Sequence, residues 1–141
     1  MRGTVTMNSP VDTGVPSEER PAPLIFIVDD EPMVCQVVDF CLRSAGYQTR
    51  IFHDPQLALD AFIDAMRKPD LLLTDFQMPG MNGLELIERC KALHPPLKTI
   101  SISGTLQVYE IEGIGTKPDR FIPKPFFPKE LLDPVRVLLG S

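Results

Sequence analysis

The sequence predicts an α/β domain, a doubly wound five-stranded parallel sheet with helices on both faces. Three observations carry this reading. Strand-like and helix-like stretches alternate as five βα units, and repeated βα units joined by short loops build a parallel sheet covered on both sides. Two of the runs end abruptly in acid: Leu24 to Val28 leads into Asp29-Asp30, and Leu71 to Thr74 leads into Asp75. A buried strand that emerges into a loop reads this way. Finally, 141 residues with 43% hydrophobic composition suffice for one core-bearing domain plus a tail.

Residues 1–22 hold Pro10, Pro16 and Pro21, several Ser and Thr, and almost no bulky apolar side chains. Such a segment cannot bury enough surface to offset its ordering entropy, so a disordered tail is expected, with the domain occupying 23–141. Strand one is Leu24 to Val28. Asp30 is expected to cap a helix whose first turn tolerates Pro32. Val34, Val38, Cys41, Leu42 and Ala45 form one face of that helix, and Gly46 stops it.

Strand two is about Gln48 to Phe52. Asp54-Pro55 supplies a cap and a first-position proline, and Ala58, Ala61, Phe62 and Ala65 form the inner face of the second helix. Strand three is Leu71 to Asp75, followed by the Pro79-Gly80 turn. Asn82 is a cap for the third helix, with Leu86, Cys90 and Leu93 on its buried side. Strand four is Lys98 to Ser103, and strand five is Arg120 to Pro123. A last helix covers Pro128 to Leu139, where Asp133-Pro134 predicts a kink or break. Between strands four and five, Gly113, Gly115 and Pro118 stand among β-branched residues. Helix propensity is poor there, so the fourth helix is expected to be short or irregular.

The net charge of -5 argues against direct nucleic-acid binding, which wants a basic face. No window reaches the roughly 18 consecutive apolar residues of a membrane helix, and the N-terminus lacks a secretory layout. Cys35, Cys41 and Cys90 are an odd set without metal-ligand spacing, expected as reduced core thiols of a cytoplasmic protein. His53 and His94 read as surface residues.

The strand ends carry Asp29, Asp30, Asp75, Ser103 and Lys124. Ligands of open α/β sheets bind outside the carboxyl ends of the strands. A carboxylate can attack phosphorus to give an acyl phosphate, and Asp75 is the candidate nucleophile. Clustered carboxylates repel one another unless a hard cation sits among them, and magnesium suits such oxygen donors. A lysine serves as a point-charge partner for a phosphoryl oxygen.

From about Pro23 to Leu139 the chain resembles the receiver domain of two-component response regulators. The resemblance rests on Asp29-Asp30, on Thr74-Asp75 with Met78-Pro79-Gly80 and Gly83, on Ser103-Gly104, and on Lys124-Pro125-Phe126. It implies a flavodoxin-like strand order 2-1-3-4-5 and a phosphoryl acceptor at Asp75. Magnesium would be bound directly by Asp30, Asp75 and the backbone carbonyl of Gln77, with Asp29 acting largely through water. Lys124 would pair with Asp75 before phosphorylation and with a phosphoryl oxygen afterwards, and Ser103 would donate to another such oxygen. The Lys124–Pro125 bond would be cis.

Ser103 and Phe121 would form the switch, with Phe121 turning inward as Ser103 moves. That motion would alter the face made by the fourth helix, strand five and the last helix, which carries output contacts in the family. The implied partners are a sensor histidine kinase or histidine phosphotransfer protein, then an output partner or fused output domain. A dimer formed on phosphorylation also lies within the resemblance. The expected role is a signalling switch and not an enzyme, apart from its own magnesium-dependent phosphorylation and dephosphorylation.

Two other classes fit less well. A haloacid-dehalogenase-type hydrolase wants a second aspartate two residues after the nucleophile, on strand one; here Phe76-Gln77 follows Asp75, on strand three. A flavodoxin-like cofactor carrier needs a Ser/Thr/Gly phosphate loop after strand one. Asp29-Asp30-Glu31-Pro32 is acidic and would repel a phosphate.

Overall fold

The structure, a computed structural model, describes residues 21–104 and 117–140. The expected tail lies outside the described residues except for its last two positions, and so does most of the segment expected as a short or irregular fourth helix. Five parallel strands, β1 (Leu24–Val28), β2 (Gln48–Phe52), β3 (Leu71–Asp75), β4 (Lys98–Ser103) and β5 (Arg120–Pro123), form one sheet in the order β2-β1-β3-β4-β5. The described helices are α1 (Pro32–Ser44), α2 (Pro55–Asp64), α3 (Gly83–Leu93) and α4 (Pro128–Leu139). The strand order, the strand boundaries and those of α4 match the sequence reading, whereas Ala65, expected on the second helix, lies just past the end of α2.

Strand side chains alternate between the two faces of the sheet, and each face has its own core. Ile25, Ile27, Leu71, Leu73, Ile100 and Ile102 pack with Cys35, Val38 and Leu42 of α1 and Leu131 and Val135 of α4. On the other side, Phe26, Val28 and Leu72 pack with Phe62 of α2 and Leu86, Ile87 and Cys90 of α3. Cys35 and Cys90 are buried in these cores. Burial pushes their thiols up, to about 11 and about 12, with the charge of Asp29 adding to the rise at Cys35.

The register fixes where the functional edge lies. Val28 pairs with Thr74, Asp75 with Ile102, and Ser103 with Pro123. Asp29, Asp75, Ser103 and Lys124 therefore come out together at the carboxyl edge. Strand β5 is held at its start by Asp119. Its carboxylate accepts from the backbone N–H of Thr99 (2.8 Å) and the Thr99 hydroxyl (3.2 Å), its own N–H donates to the Thr99 carbonyl (3.0 Å), and Lys91 of α3 lies 3.9 Å from it. At the other end, the N–H of Lys124 donates to the Ser103 carbonyl (2.8 Å). The Lys124–Pro125 bond is cis.

Local signals hold at α2 and α3. Asp54 accepts from the N–H of Gln56, and Asn82 forms a reciprocal capping box with Glu85. Four expectations are corrected. The N-cap of α1 is Glu31, not Asp30, and its side chain makes no capping hydrogen bond, so the Asp30 carboxylate is not spent on the helix. Leu93 is 55% exposed. The Leu86–Cys90 row continues one turn on at His94, whose ring packs against Phe62 with centroids 6.5 Å apart, leaving Leu93 turned outward. His94 is thus half-buried, and Nδ1 of His53 sits 3.1 Å from the carbonyl of Asp29. His53 is exposed, as expected, so the surface reading is corrected at His94 alone. Finally, α4 is one unbroken helix with Pro134 inside it; the buried Leu131 and Val135 on either side of the proline anchor both halves to the same core.

Candidate functional site

Three carboxylates meet where β1 and β3 end. Asp29, Asp30 and Asp75 each offer an oxygen, and these oxygens all lie within 4.8 Å of one another. Asp29 is 2% exposed and Asp75 is buried, whereas Asp30 stands exposed at the rim. Strand β3 is buried along its whole length, which forces the Asp75 side chain to the sheet edge with little solvent. The loop after it is shaped by Gly83, whose N–H donates to the Phe76 carbonyl (2.8 Å). A Cβ built on Gly83 would stand 2.3 Å from the backbone oxygen of Asp75, so only glycine lets α3 begin this close to the end of β3.

Lys124 crosses from β5 into the cluster. Its Nζ lies 3.3 Å from Asp75 Oδ1, 3.4 Å from Asp29 Oδ2 and 3.3 Å from Glu31 Oε1. Asp29 also accepts the N–H of Glu31 on its other oxygen (2.9 Å), so both of its oxygens are engaged. Burial and the neighbouring Asp29 charge push the Asp75 carboxyl up to about 6, against the opposing pull of Lys124. Burial raises Asp29 as well, opposed by the Glu31 N–H and by Lys124. For Lys124, burial acts downward, but the Asp29 and Asp75 charges with the carboxylate hydrogen bonds outweigh it, and the ammonium is held above its ordinary value.

Asp30, Glu31, Asp75, Gln77, Ser103, Gly104 and Lys124 line a cleft of about 380 Å³. All the site residues expected from the sequence are thus brought together except Phe121. That ring is half-buried on β5, packed against the core beneath α2 and α3, in register with Ser101. Glu31 lines this cleft without being singled out by the sequence pattern. It stands in the acidic run Asp29-Asp30-Glu31, but its contact with Lys124 spans 93 positions of sequence, which no local pattern reveals.

The donor set is all carboxylate oxygen, with more negative than positive charge, so it fits a hard divalent cation such as magnesium. Asp30, Asp75 and Asp29 are the side chains that would hold it. The chemistry available is attack by the Asp75 carboxylate on phosphorus, with one ammonium and one hydroxyl placed beside it.

A second, apolar cleft of about 530 Å³ adjoins the first, lined by Met33, Val34, Val37, Gly104, Lys124, Pro125 and Phe126. Met33, Val37 and Phe40 of α1 are 77%, 54% and 73% exposed, and their spacing makes one stripe along the helix. None of this surface was anticipated from the sequence.

Comparison with known proteins is consistent with this geometry. A family model described as the response regulator receiver domain matches residues 25–136. The phosphate regulon transcriptional regulatory protein PhoB of Pseudomonas aeruginosa is 34% identical over 119 residues, which is 82% of this chain and 51% of PhoB. The DNA-binding response regulator MtrA of Mycolicibacterium smegmatis is 33% identical over 120 residues, 82% of this chain and 50% of MtrA. The chain thus spans about half the length of these curated relatives. A CheY-like response regulator receiver domain protein from Methanospirillum hungatei JF-1 superimposes with a TM-score of 0.77 at 27% identity, over 84% of this chain and 94% of that one.

Proposed function

Because the chain belongs to the response regulator receiver domain family, we propose that residues 23–141 accept a phosphoryl group on Asp75 and relay it as a change of surface. The observation that carries this is the Lys124–Asp75 pair, 3.3 Å apart at the mouth of a polar cleft. Asp75 is the nucleophile. Lys124 and Ser103 line the same cleft, where an ammonium and a hydroxyl are placed to take charge from phosphoryl oxygens. A bound magnesium ion would supply positive charge that offsets carboxylate repulsion and neutralises the transferring group. Asp30 and Asp75, with the Gln77 carbonyl, are the direct ligands in this reading, and Asp29 acts through water.

The donor is a histidine-phosphorylated kinase or phosphotransfer protein in the cytoplasm. The apolar stripe of Met33 and Val37 with Pro125 and Phe126 gives such a donor a dry surface beside the acceptor, as an amphipathic helix requires. Phosphorylation draws Ser103 toward the acceptor, and Phe121 turns inward behind it. The face around β5 and α4 then presents a changed surface to an output partner or fused domain. The protein acts as a switch whose chemistry is confined to gaining and losing its own phosphoryl group.

The test is incubation with a small phosphoramidate and magnesium, followed by intact mass. The expected result is a gain of one phosphoryl group, absent without divalent cation and absent in Asp75→Asn. Stoichiometric labelling of Asp75→Asn would overturn the assignment.

A further inference from the structure

An ammonium has three N–H donors, and Lys124 faces three carboxylates at 3.3–3.4 Å: Asp29, Asp75 and Glu31. The first two belong to the acidic cluster. Glu31 does not, and its geometry is unusual for its place. It occupies the N-cap of α1 with extended backbone (φ −99°, ψ 109°) yet makes no side-chain cap bond, although that position ordinarily spends its side chain on the helix amides. Its N–H is fastened to Asp29 (2.9 Å), and its carbonyl accepts from Cys35 (3.2 Å). The backbone is therefore pinned, and the carboxylate is left to span from the β1–α1 loop to β5. The Glu31 side chain is 62% exposed where that of Lys124 is 20% exposed, so Glu31 covers the ammonium on its solvent side.

We propose that Glu31 is a positioning residue for Lys124, holding the ammonium at the cleft mouth and giving it up when a phosphoryl group arrives. The inference rests on the reading of Asp75 as acceptor. In that step an Asp75 carboxylate oxygen attacks phosphorus of the phosphoramidate. The P–O bond forms as the P–N bond breaks, and its electron pair leaves on nitrogen, which departs as ammonia with a proton from water. The phosphoryl oxygens then need an N–H donor of Lys124. With Glu31 in place, the solvent-side donor is already taken. Without that contact, one N–H points unengaged toward the arriving anion.

Two substitutions separate contact from charge. Glu31→Gln keeps the length and removes the charge. Glu31→Asp keeps the charge but is one methylene too short to span the gap. The first readout needs neither metal nor phosphoryl group: the ¹⁵N–¹H ammonium resonance of Lys124, visible when the group is held against proton exchange. The second is the rate of labelling by phosphoramidate with magnesium.

Both variants are expected to broaden or lose the Lys124 resonance and to label roughly two- to fivefold faster, the range that an ion pair with one exposed partner supplies. If Glu31→Asp matches the parent while Glu31→Gln is faster, rim charge alone is at work and the positioning role is overturned. An unchanged resonance and rate in both variants of a parent that labels normally also overturns it. A parent that takes no label at all sinks the acceptor reading instead, with the ammonium resonance still deciding whether Glu31 holds Lys124.

Discussion

Gly83 and Asp75 touch in a way that no side chain would permit: a β-carbon on Gly83 would lie 2.3 Å from the Asp75 carbonyl oxygen and 3.1 Å from its carbonyl carbon. The start of α3 is thereby set directly against the strand end that carries the Asp75 carboxylate. Both partners in the clash are backbone, so no rotamer change relieves it.

Gly83→Ala is accordingly expected to destabilise the domain by about 1–3 kcal/mol, the usual scale for overpacking a tight site. It should also slow phosphoramidate labelling, because the Asp75 backbone must move to make room. Urea midpoints and labelling rates measured on one preparation check both effects. Parent-like values for both would mean that the loop relaxes freely.

The raised carboxyl groups predict how stability follows pH. Asp75 titrates near 6 in the folded chain, and Asp29 is raised too, whereas an unfolded aspartate titrates near 3.9. The folded state therefore binds the extra proton between those values. Its contribution to stability is complete below the unfolded value and is lost as pH rises through about 6. In chelator-treated buffer the urea midpoint should fall between pH 4.5 and pH 7.5, by roughly 2 kcal/mol of stability if Asp75 dominates. Added magnesium should restore far more at pH 7.5 than at pH 4.5. A midpoint that rises over this range would contradict the raised carboxyl groups.

Removing charge at either end of the central pair should have opposite effects on the metal-free protein at pH 7.5. Asp75→Asn takes one carboxylate from a crowded, buried cluster and should raise the midpoint. Lys124→Ala leaves Asp29, Asp75 and Glu31 without their shared ammonium and should lower it, by roughly 1–3 kcal/mol. Loss of stability in both variants would show that the pair is net favourable.

The two acids of β1 should differ as ligands. Both oxygens of Asp29 already have partners in Glu31 and Lys124, while Asp30 stands exposed at the cleft. Asp30→Ala should weaken magnesium binding more than Asp29→Ala, as read by titration calorimetry on both variants. Equal losses would remove the distinction.

The central strands were legible because β1 and β3 are short apolar runs that end at a carboxylate, Asp29 and Asp75 respectively. The caps at Asp54 and Asn82 were legible because their partners are two and three residues away. What failed was finer or longer in range. The cap of α1 missed by one residue, since Asp30 and Glu31 are both acids before a proline and only backbone geometry separates them. Leu93 and Pro134 obeyed local rules that packing overrode. The histidine contacts, the Glu31–Lys124 pair and the apolar stripe beside Phe126 join distant stretches, and their existence depends on how the loops turn.

The clasp of Asp119 on Thr99 and Lys91 makes the edge strand a two-point tether for the lysine beyond it. With Lys124 tied to Ser103 on one side and Asp119 tied to Thr99 on the other, β5 is fastened to β4 at both of its ends. Loosening either end would let β5, and Lys124 with it, shift against the carboxylates that it faces.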